Sequence, residues 1–186
     1  MPDRALRRAV FLDRDGTLNV DTGYIARPES VRLVPNAAEG ARALREAGFA
    51  LIIVSNQSGI ARGVMTTAQA DAVDAKVLDL LRERGVHIEA SYRCPHLPGG
   101  QVAQFGIECD CRKPKPGMIA QAARDLGLDL ARSWTIGDGV RDVEAGLAAG
   151  TRAVLIADGD AARRADDPVL RATDLLDAAR IIATKE

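Results

Sequence analysis

Cysteine and histidine are scarce in this chain, with three Cys and two His among 186 residues. So few cysteines, and an odd number of them, exclude a small secreted domain that is built on a framework of disulfides. No apolar run is long enough to span a bilayer, and the N-terminal arginines precede an apolar run too short for a signal peptide. We therefore expect a cytoplasmic protein with no membrane partner.

Charge of one sign is not in excess either. Basic residues number 25 and acidic residues 26, for a net charge of −1, and the two kinds are mixed along the chain. Without a basic stripe, no nucleic-acid partner is expected. The length fits a single domain over residues 1–186 with a sizeable core, and we expect a monomer.

In one stretch an apolar run gives way abruptly to carboxylates. Residues 9–12 are apolar and partly β-branched, which predicts a buried strand, and Asp13, Asp15 and Gly16 follow it. Open α/β sheets bind ligands at the carboxyl ends of their strands, where both carboxylates could face the same side. Carboxylates this close need a cation or a shared proton, and Mg²⁺ suits a site that handles phosphate.

This D-x-D-G-T pattern at residues 13–17 resembles the first motif of the haloacid-dehalogenase-like phosphohydrolases. The resemblance implies that Asp13 is a nucleophile that forms an aspartyl-phosphate and that Asp15 is the general acid and base. For the motif taken alone, an acidic turn without catalysis is the alternative interpretation.

A second polar cluster follows a second predicted strand. Residues 49–54 are apolar without alternation, which is typical of a parallel strand buried on both faces, and residues 55–59 are polar or glycine. A hydroxyl and successive backbone amides there could bind phosphate oxygens. Ser55 matches the family's second motif, which holds the transferring phosphoryl group; a simple polar turn is the alternative.

All three cysteines and one histidine are concentrated in one segment, as Cys94, His96, Cys109 and Cys111. Three sulfurs and one imidazole form a complete tetrahedral set for structural Zn²⁺, so we expect a zinc-binding loop inserted at about 94–111. A disulfide with one spare thiol is the alternative, which the cytoplasmic expectation disfavours.

Two cations follow the last cysteine directly. Lys113, with Arg112 before it, lies just ahead of a predicted helix that starts near Pro116, and helix N-termini favour anions. Lys113 matches the family's third motif, a lysine that neutralises the phosphoryl group and orients the nucleophile. Solvated surface charge is the alternative for these cations.

The segment from Gly137 to Asp142 repeats the plan of strand, glycine and carboxylate. It matches the family's fourth motif, G-D-x-x-x-D. The resemblance implies that Asp138 completes a Mg²⁺ site with Asp13 and the backbone carbonyl of Asp15, and that Asp142 supports it from outside. Many relatives carry lysine immediately after the first Asp of this motif, whereas this chain has Gly139.

Helix and strand patterns alternate along the whole chain. Capping pairs predict helices after Asn36 and Thr66, and a terminal helix is expected after Thr173 or Asp174. A further strand is expected at 151–157 and a loop at 158–168. The alternation predicts an α/β fold with a three-layer, doubly wound, mostly parallel sheet, Rossmann-like and haloacid-dehalogenase-like, without a large cap domain.

Several motifs together narrow the resemblance to the family of heptose-bisphosphate phosphatases. It implies a small phosphorylated sugar as substrate, in heptose metabolism for bacterial lipopolysaccharide. The substrate contacts implied or expected are Asp21, Thr22, Gly23, Tyr24, Asn56, Gln57, Ser58 and Arg112. Arg112 and Arg62 are expected to meet a second phosphate. Histidinol-phosphate phosphatases share the fold and the zinc loop and are the alternative; a non-catalytic, zinc-stabilised phosphate-binding domain is a hypothesis of another class.

Overall fold

Six parallel strands form one sheet in the computed structural model, which describes residues 6–157 and 169–185. The order across the sheet is β3–β2–β1–β4–β5–β6, with β1 Ala9–Leu12, β2 Ala50–Asn56, β3 Ala90–Cys94, β4 Trp134–Gly137, β5 Arg152–Ile156 and β6 Val169–Ala172. The first strand is central, because Phe11 lies opposite Ile52 of β2 on one side and Thr135 of β4 on the other.

Helices cover both faces of the sheet, as the doubly wound prediction requires. They are α1 Ala37–Glu46, α2 Thr67–Arg82, α3 Gly117–Leu126, α4 Val140–Ala149 and α5 Leu175–Ala183. Val10 and Leu12 pack in one apolar cluster with residues of α1, α2 and α5. Ala9 and Phe11 pack in a second cluster with residues of α3 and α4. The alternation along β1 therefore separates two cores, and the predicted three-layer α/β fold is confirmed.

The helix starts were predicted with mixed success. The capping box of α2 is present, with Gln69 N–H donating to Thr66 Oγ1 at 3.1 Å and Thr66 N–H donating to Gln69 Oε1 at 2.8 Å. The capping pair predicted at Asn36 is wrong, because its backbone adopts a positive φ of 62° and its side chain donates to Asp174 instead. Asp174 caps α5 as expected.

The strands differ from the prediction at the end of β2 and at both edges of the sheet. The second strand runs on to Asn56, so Ser55 lies within β2 and not after it. Strands β3 and β6 were not predicted; both are short edge strands of mixed polarity, which give little apolar signal. The loop expected at 158–168 lies outside the described residues.

The described part of the chain adds no second sheet to this arrangement, in keeping with the expected lack of a large cap domain. Among the residues described, no helix combines the length and apolar character needed to cross a membrane. All loops that matter for the site leave the carboxyl edge of the sheet.

Candidate active site

Asp13 forms the centre of a buried charge cluster at the end of β1. Its side chain is 7% exposed, and Lys113 Nζ donates to its Oδ1 at 2.5 Å. The same ammonium donates to the carbonyl of Val54 at 2.6 Å and lies 2.6 Å from Asp142 Oδ1. Lys113 contacts Val54 of β2, Asp13 and Asp142 of α4 at once, so it is held where two carboxylates surround it.

The two acids of this cluster outnumber its single cation. Burial raises the pKa of Asp13 from 3.8 to about 6, with Lys113 opposing and Asp142 adding to the increase. Burial alone would lower the pKa of Lys113, but the carboxylates of Asp13 and Asp142 outweigh it and raise that pKa. The lysine therefore stays charged, and the carboxylates remain short of positive charge.

A divalent cation would supply the missing charge. Ligand atoms of Asp13, Asp138 and Asp142 all lie within 4.8 Å of one another. Burial, then Asp142, raises the pKa of Asp138. A Cβ on Gly16 would lie 1.9 Å from Asp138 Oδ2, so only glycine lets this carboxylate approach the chain after β1. The cluster fits a hard cation with oxygen ligands, and Asp142 belongs to it more directly than the sequence indicated.

Asp15 points its carboxylate into a set of donors. Arg14 Nη2 donates to both oxygens, at 2.8 and 3.0 Å, and Asn19 Nδ2 donates to Oδ1 at 2.9 Å. Gln57 Nε2 donates to Oδ2 at 2.6 Å. Asp15 nevertheless keeps 19% of its side chain exposed, at the edge of the cleft described below. It is thus fixed in direction and open to a ligand.

The polar residues at the end of β2 form hydrogen bonds with Ser55 and with Lys113. Gln57 Nε2 also donates to Ser55 Oγ at 2.8 Å, which orients the buried serine beside the cluster. Asn56 forms a reciprocal pair with the backbone of Lys113, with both hydrogen bonds at 3.0 Å. Asn56 therefore positions the lysine, a role that the sequence did not suggest.

A cleft of about 320 Å³ opens above these groups. It collects most of the residues predicted to bind substrate, and its lining consists of Asp13, Asp15, Asp21, Gly23, Tyr24, Asn56, Gln57, Ser58, Arg112 and Arg141. Thr22 and Arg62 are exposed and are not part of this lining. The expectation that Arg62 meets a second phosphate therefore has no support in the lining of the cleft.

Arg141 is the cleft residue that sequence reasoning missed. A Cβ on Gly139 would lie 3.0 Å from Asp142 Oδ2 and at ordinary van der Waals distance, 3.5 Å, from Cγ and Nε of Arg141. Arg112 contributes a second guanidinium to the same cleft and donates to the carbonyl of His96 at 3.1 Å. The cleft is thus lined by two guanidinium groups, one of them from the first turn of α4.

The three cysteines and His96 converge beside Arg112. Their sulfurs lie 3.1–3.6 Å apart, and His96 Nδ1 lies 3.3 Å from Cys111 Sγ and 3.8 Å from Cys94 Sγ. None of the cysteines is in a disulfide, which excludes the alternative interpretation. Four ligand atoms at such separations suit one tetrahedral ion of the Zn²⁺ type.

Comparison with known proteins identifies the family. A HAD-hydrolase-like family model matches residues 110–179. The chain is 46% identical to the D-glycero-beta-D-manno-heptose-1,7-bisphosphate 7-phosphatase of Yersinia pestis over 141 residues, which are 76% of this chain and 75% of the relative. The enzyme of the same name from Escherichia coli is 44% identical, over 76% of this chain and 74% of the relative. The chain belongs to the haloacid-dehalogenase-like phosphatases.

A solved structure of a related phosphatase matches this chain over nearly its whole length. The D,D-heptose 1,7-bisphosphate phosphatase of B. bronchiseptica, complexed with magnesium and phosphate, is 29% identical to this chain. It matches with a TM-score of 0.81, over 96% of this chain and 99% of that one. The present phosphatase therefore shares its fold with a protein whose structure holds both ions.

Sequence signals could have found part of what was missed in this phosphatase. Arg14 stands between the two motif aspartates, where alternation along an extended chain turns it away from them, so its pairing with Asp15 was not expected. Arg141 lies three residues after Asp138, at the start of a helix, and this short spacing makes it a candidate residue of the same site.

Proposed function

We propose that this phosphatase removes the 7-phosphate of D-glycero-D-manno-heptose 1,7-bisphosphate. The observation that carries the proposal is the buried Asp13–Lys113 pair below a cleft that also presents Arg112 and Arg141. Such a cleft offers a nucleophile for one phosphate and guanidinium cations for another. The curated relatives are named for the β anomer, and we propose the same anomer for this chain.

In the first step Asp13 attacks the phosphorus of the 7-phosphate and forms an aspartyl-phosphate. The bond between phosphorus and the sugar oxygen breaks, and Asp15 gives a proton to that oxygen as it leaves. Lys113 neutralises charge on the nucleophile and the phosphoryl oxygens, and Ser55 with the backbone after it binds those oxygens. The position of Asp15 at the cleft edge supports its part in this step.

In the second step a water molecule attacks the phosphorus of the aspartyl-phosphate. Asp15, now a carboxylate, accepts a proton from that water, and the bond between phosphorus and Asp13 breaks. Inorganic phosphate leaves, and Asp13 returns to its carboxylate form. Arg14 and Gln57 donate hydrogen bonds to the Asp15 side chain, which hold it in place for this step.

Two metal ions belong to the proposal. Asp13, Asp138 and the backbone carbonyl of Asp15 would hold Mg²⁺, with Asp142 close by, and the ion would draw charge from the phosphoryl oxygens. The closed zinc set, Cys94, His96, Cys109 and Cys111, would hold one Zn²⁺ without a free position. Because Arg112 and Lys113 follow Cys111 directly, we propose that zinc fixes both cations in place.

Arg112 and Arg141 are the proposed ligands of the phosphate that is not cleaved. They approach the cleft from the zinc loop and from α4, so a sugar bisphosphate over Asp13 would meet a guanidinium from two elements. Arginine binds phosphate through charge-assisted, often bidentate hydrogen bonds. Histidinol phosphate carries an ammonium group at that end, which these cations would repel.

A phosphate-release assay over sugar bisphosphates and histidinol phosphate tests the substrate. We expect the highest kcat/KM for heptose 1,7-bisphosphate. A preference for histidinol phosphate would transfer the assignment to the alternative family. Absence of release from every phosphate ester, by folded protein with Mg²⁺, would favour the non-catalytic binding domain.

Variants of the two arginines test the second phosphate site. We expect Arg112→Ala and Arg141→Ala each to lower kcat/KM for the bisphosphate about 10- to 100-fold, because a hydrogen bond to a charged group contributes about 1.5–3 kcal/mol. Hydrolysis of p-nitrophenyl phosphate, which has no second phosphate, should hardly change. Arg62→Ala is the matched control, since Arg62 does not line the cleft. Equal losses on both compounds would contradict this role.

The remaining expectations, a single domain, a monomer and a cytoplasmic location, are kept as part of this proposal. A small phosphorylated substrate supports the location, because such metabolites are held inside cells by their charge. Light scattering coupled to gel filtration would test the monomer directly.

A further inference from the structure

A chain of alternating acids and arginines leads away from Asp15, outside the cleft. We call it the ion-pair chain; its members are Asp15, Arg14, Asp74, Arg93 and Asp71. Asp71 and Asp74 belong to α2, and Arg93 belongs to β3, one residue before Cys94. The proposed reaction uses only the first member, so the function of the others needs an explanation.

Arg14 is the member with the tightest constraints. Its side chain is 2% exposed, and its guanidinium is divided between two carboxylates. Nη2 donates to the two carboxylate oxygens of Asp15 at 3.0 Å and 2.8 Å, and Nε donates to one of them as well. Nη1 donates to Asp74 Oδ1 at 2.5 Å. A buried guanidinium whose far side is held by Asp74 has little freedom to rotate. The carboxylate that it holds is fixed to the same extent.

Asp74 is in turn held by two arginines. Its other oxygen accepts from Arg93 Nη1 at 2.7 Å, and Arg93 Nη2 donates to Asp71 at 2.5 Å. Exposure of the acids rises outwards, from 18% for the side chain of Asp74 to 63% for that of Asp71. Asp74 is thus the last acid of the ion-pair chain that is shielded from solvent, and the last that contacts Arg14.

We propose that Asp74 is a positioning residue for the phosphatase reaction, which acts through Arg14 to hold the Asp15 carboxylate in its direction toward the leaving oxygen. The proposal rests on the proposed role of Asp15 as acid and base. It differs from a purely structural role of the ion pair, which would affect all substrates alike. Proton donation is sensitive to direction, and a misplacement of about 1 Å can cost about 10²-fold in rate.

The test compares leaving groups in Asp74→Asn. An alkyl phosphate such as heptose 1,7-bisphosphate needs a proton on its leaving oxygen, whereas 2,4-dinitrophenyl phosphate releases a stable phenolate without one. Single-turnover experiments measure the rate at which the aspartyl-phosphate forms. We expect this rate for the alkyl phosphate to fall about 10- to 100-fold, and kcat with it where that step limits turnover. The rate for the dinitrophenyl ester should fall much less, and KM should stay near the parental value.

Asp71→Asn is the matched control. It makes the same chemical change on the same helix and in the same ion-pair chain, but its site contacts Arg93 and not Arg14. We expect parental rates on both esters. If Asp74→Asn does not fold, Arg14→Lys gives a second route, because lysine keeps the charge near Asp74 but cannot grip both oxygens of Asp15. It should show the same selective loss on the alkyl phosphate.

Asp15→Asn, measured in parallel, separates the two possible failures. If Asp15→Asn slows both esters equally, Asp15 is not the proton donor, and the proposed function of Asp15 fails. If Asp15→Asn is selective but folded Asp74→Asn is parental or slows both esters equally, only the positioning role of Asp74 is overturned.

Discussion

Asp13→Asn should stabilise the folded protein while it abolishes phosphate release. Asp13 is buried, and its pKa is raised by burial from 3.8 to about 6 even with Lys113 beside it. At about 1.4 kcal/mol for each pH unit, the charged carboxylate costs the fold on the order of 3 kcal/mol at pH 7 in the absence of divalent cations. Asparagine removes that charge and leaves Lys113 paired with Asp142. The amide cannot attack phosphorus, so activity should be lost.

Thermal unfolding in Mg²⁺-free buffer is the appropriate assay. For a chain of this size, 1 kcal/mol corresponds to about 2–4 °C in Tm, so the variant should melt roughly 6–12 °C above the parent at pH 7. Added Mg²⁺ should narrow the gap, because the parent keeps a ligand that the variant lacks.

The pH dependence gives the internal control. Since the folded-state pKa of Asp13 lies above its unfolded value, folding favours the protonated form, and the parent regains stability relative to the variant as the pH falls. The gap should fall to roughly half its size near pH 5 and nearly vanish near pH 3. A variant that melts below the parent at pH 7, or a gap that is the same at pH 7 and pH 4, would refute the reasoning.

Three further predictions address other parts of the molecule. Asp15→Asn should lower phosphate release about 10²- to 10⁴-fold, and single-turnover assays with labelled phosphate should show that the aspartyl-phosphate forms or breaks down more slowly; a parental rate for both steps would contradict its role. Cys111→Ser should lower both the zinc content, about one ion per chain in the parent, and the Tm, as measured by metal analysis and calorimetry; a zinc-free parent that is folded and active would exclude the site. Asp174→Ala should cost about 1 kcal/mol in urea unfolding at pH 7, because Asp174 caps α5. Burial would raise the pKa of Asp174, but the N–H of Asp177 and the side chain of Asn36 lower it. The stabilisation by the charged carboxylate is therefore fully present above the usual carboxyl pKa and is lost as the pH falls through the lowered pKa; a cost of Asp174→Ala that does not shrink on acidification would contradict a charged cap.

The sequence was most informative where a local pattern decides the structure. Asp13, Lys113 and Asp138 come from three separate motifs, yet each lies at or near the end of a strand or the start of a helix. Because the carboxyl ends of parallel strands share one edge of a sheet, their convergence could be predicted before any contact was known. The distances in the Asp13–Lys113 pair agree with that expectation.

Contacts between residues that are far apart in the sequence could not be predicted by the same reasoning. Arg14 and Asp74 are 60 positions apart, and nothing in either neighbourhood selects one as partner of the other. To predict that Arg141 lines the cleft, one would have to know the rotation of α4 about its axis, because this rotation decides whether a helical residue faces the cleft or solvent. Strand β3 was missed because Ser91 and Arg93 interrupt its apolar pattern, as suits a strand at the edge of a sheet.

The central place of β1 in the sheet has a consequence for biosynthesis. Its partner β4 starts at Trp134, roughly 120 residues later, which takes roughly 6–24 s to translate at about 5–20 residues per second. Until then Val10 and Phe11 belong to a strand with an unpaired edge. Asp13 also lacks its partner Lys113, which is still within or near the ribosome for most of that time. We therefore expect the nascent chain to depend on chaperones until β4 emerges, and ribosome-bound fragments that end before Trp134 to remain sensitive to protease.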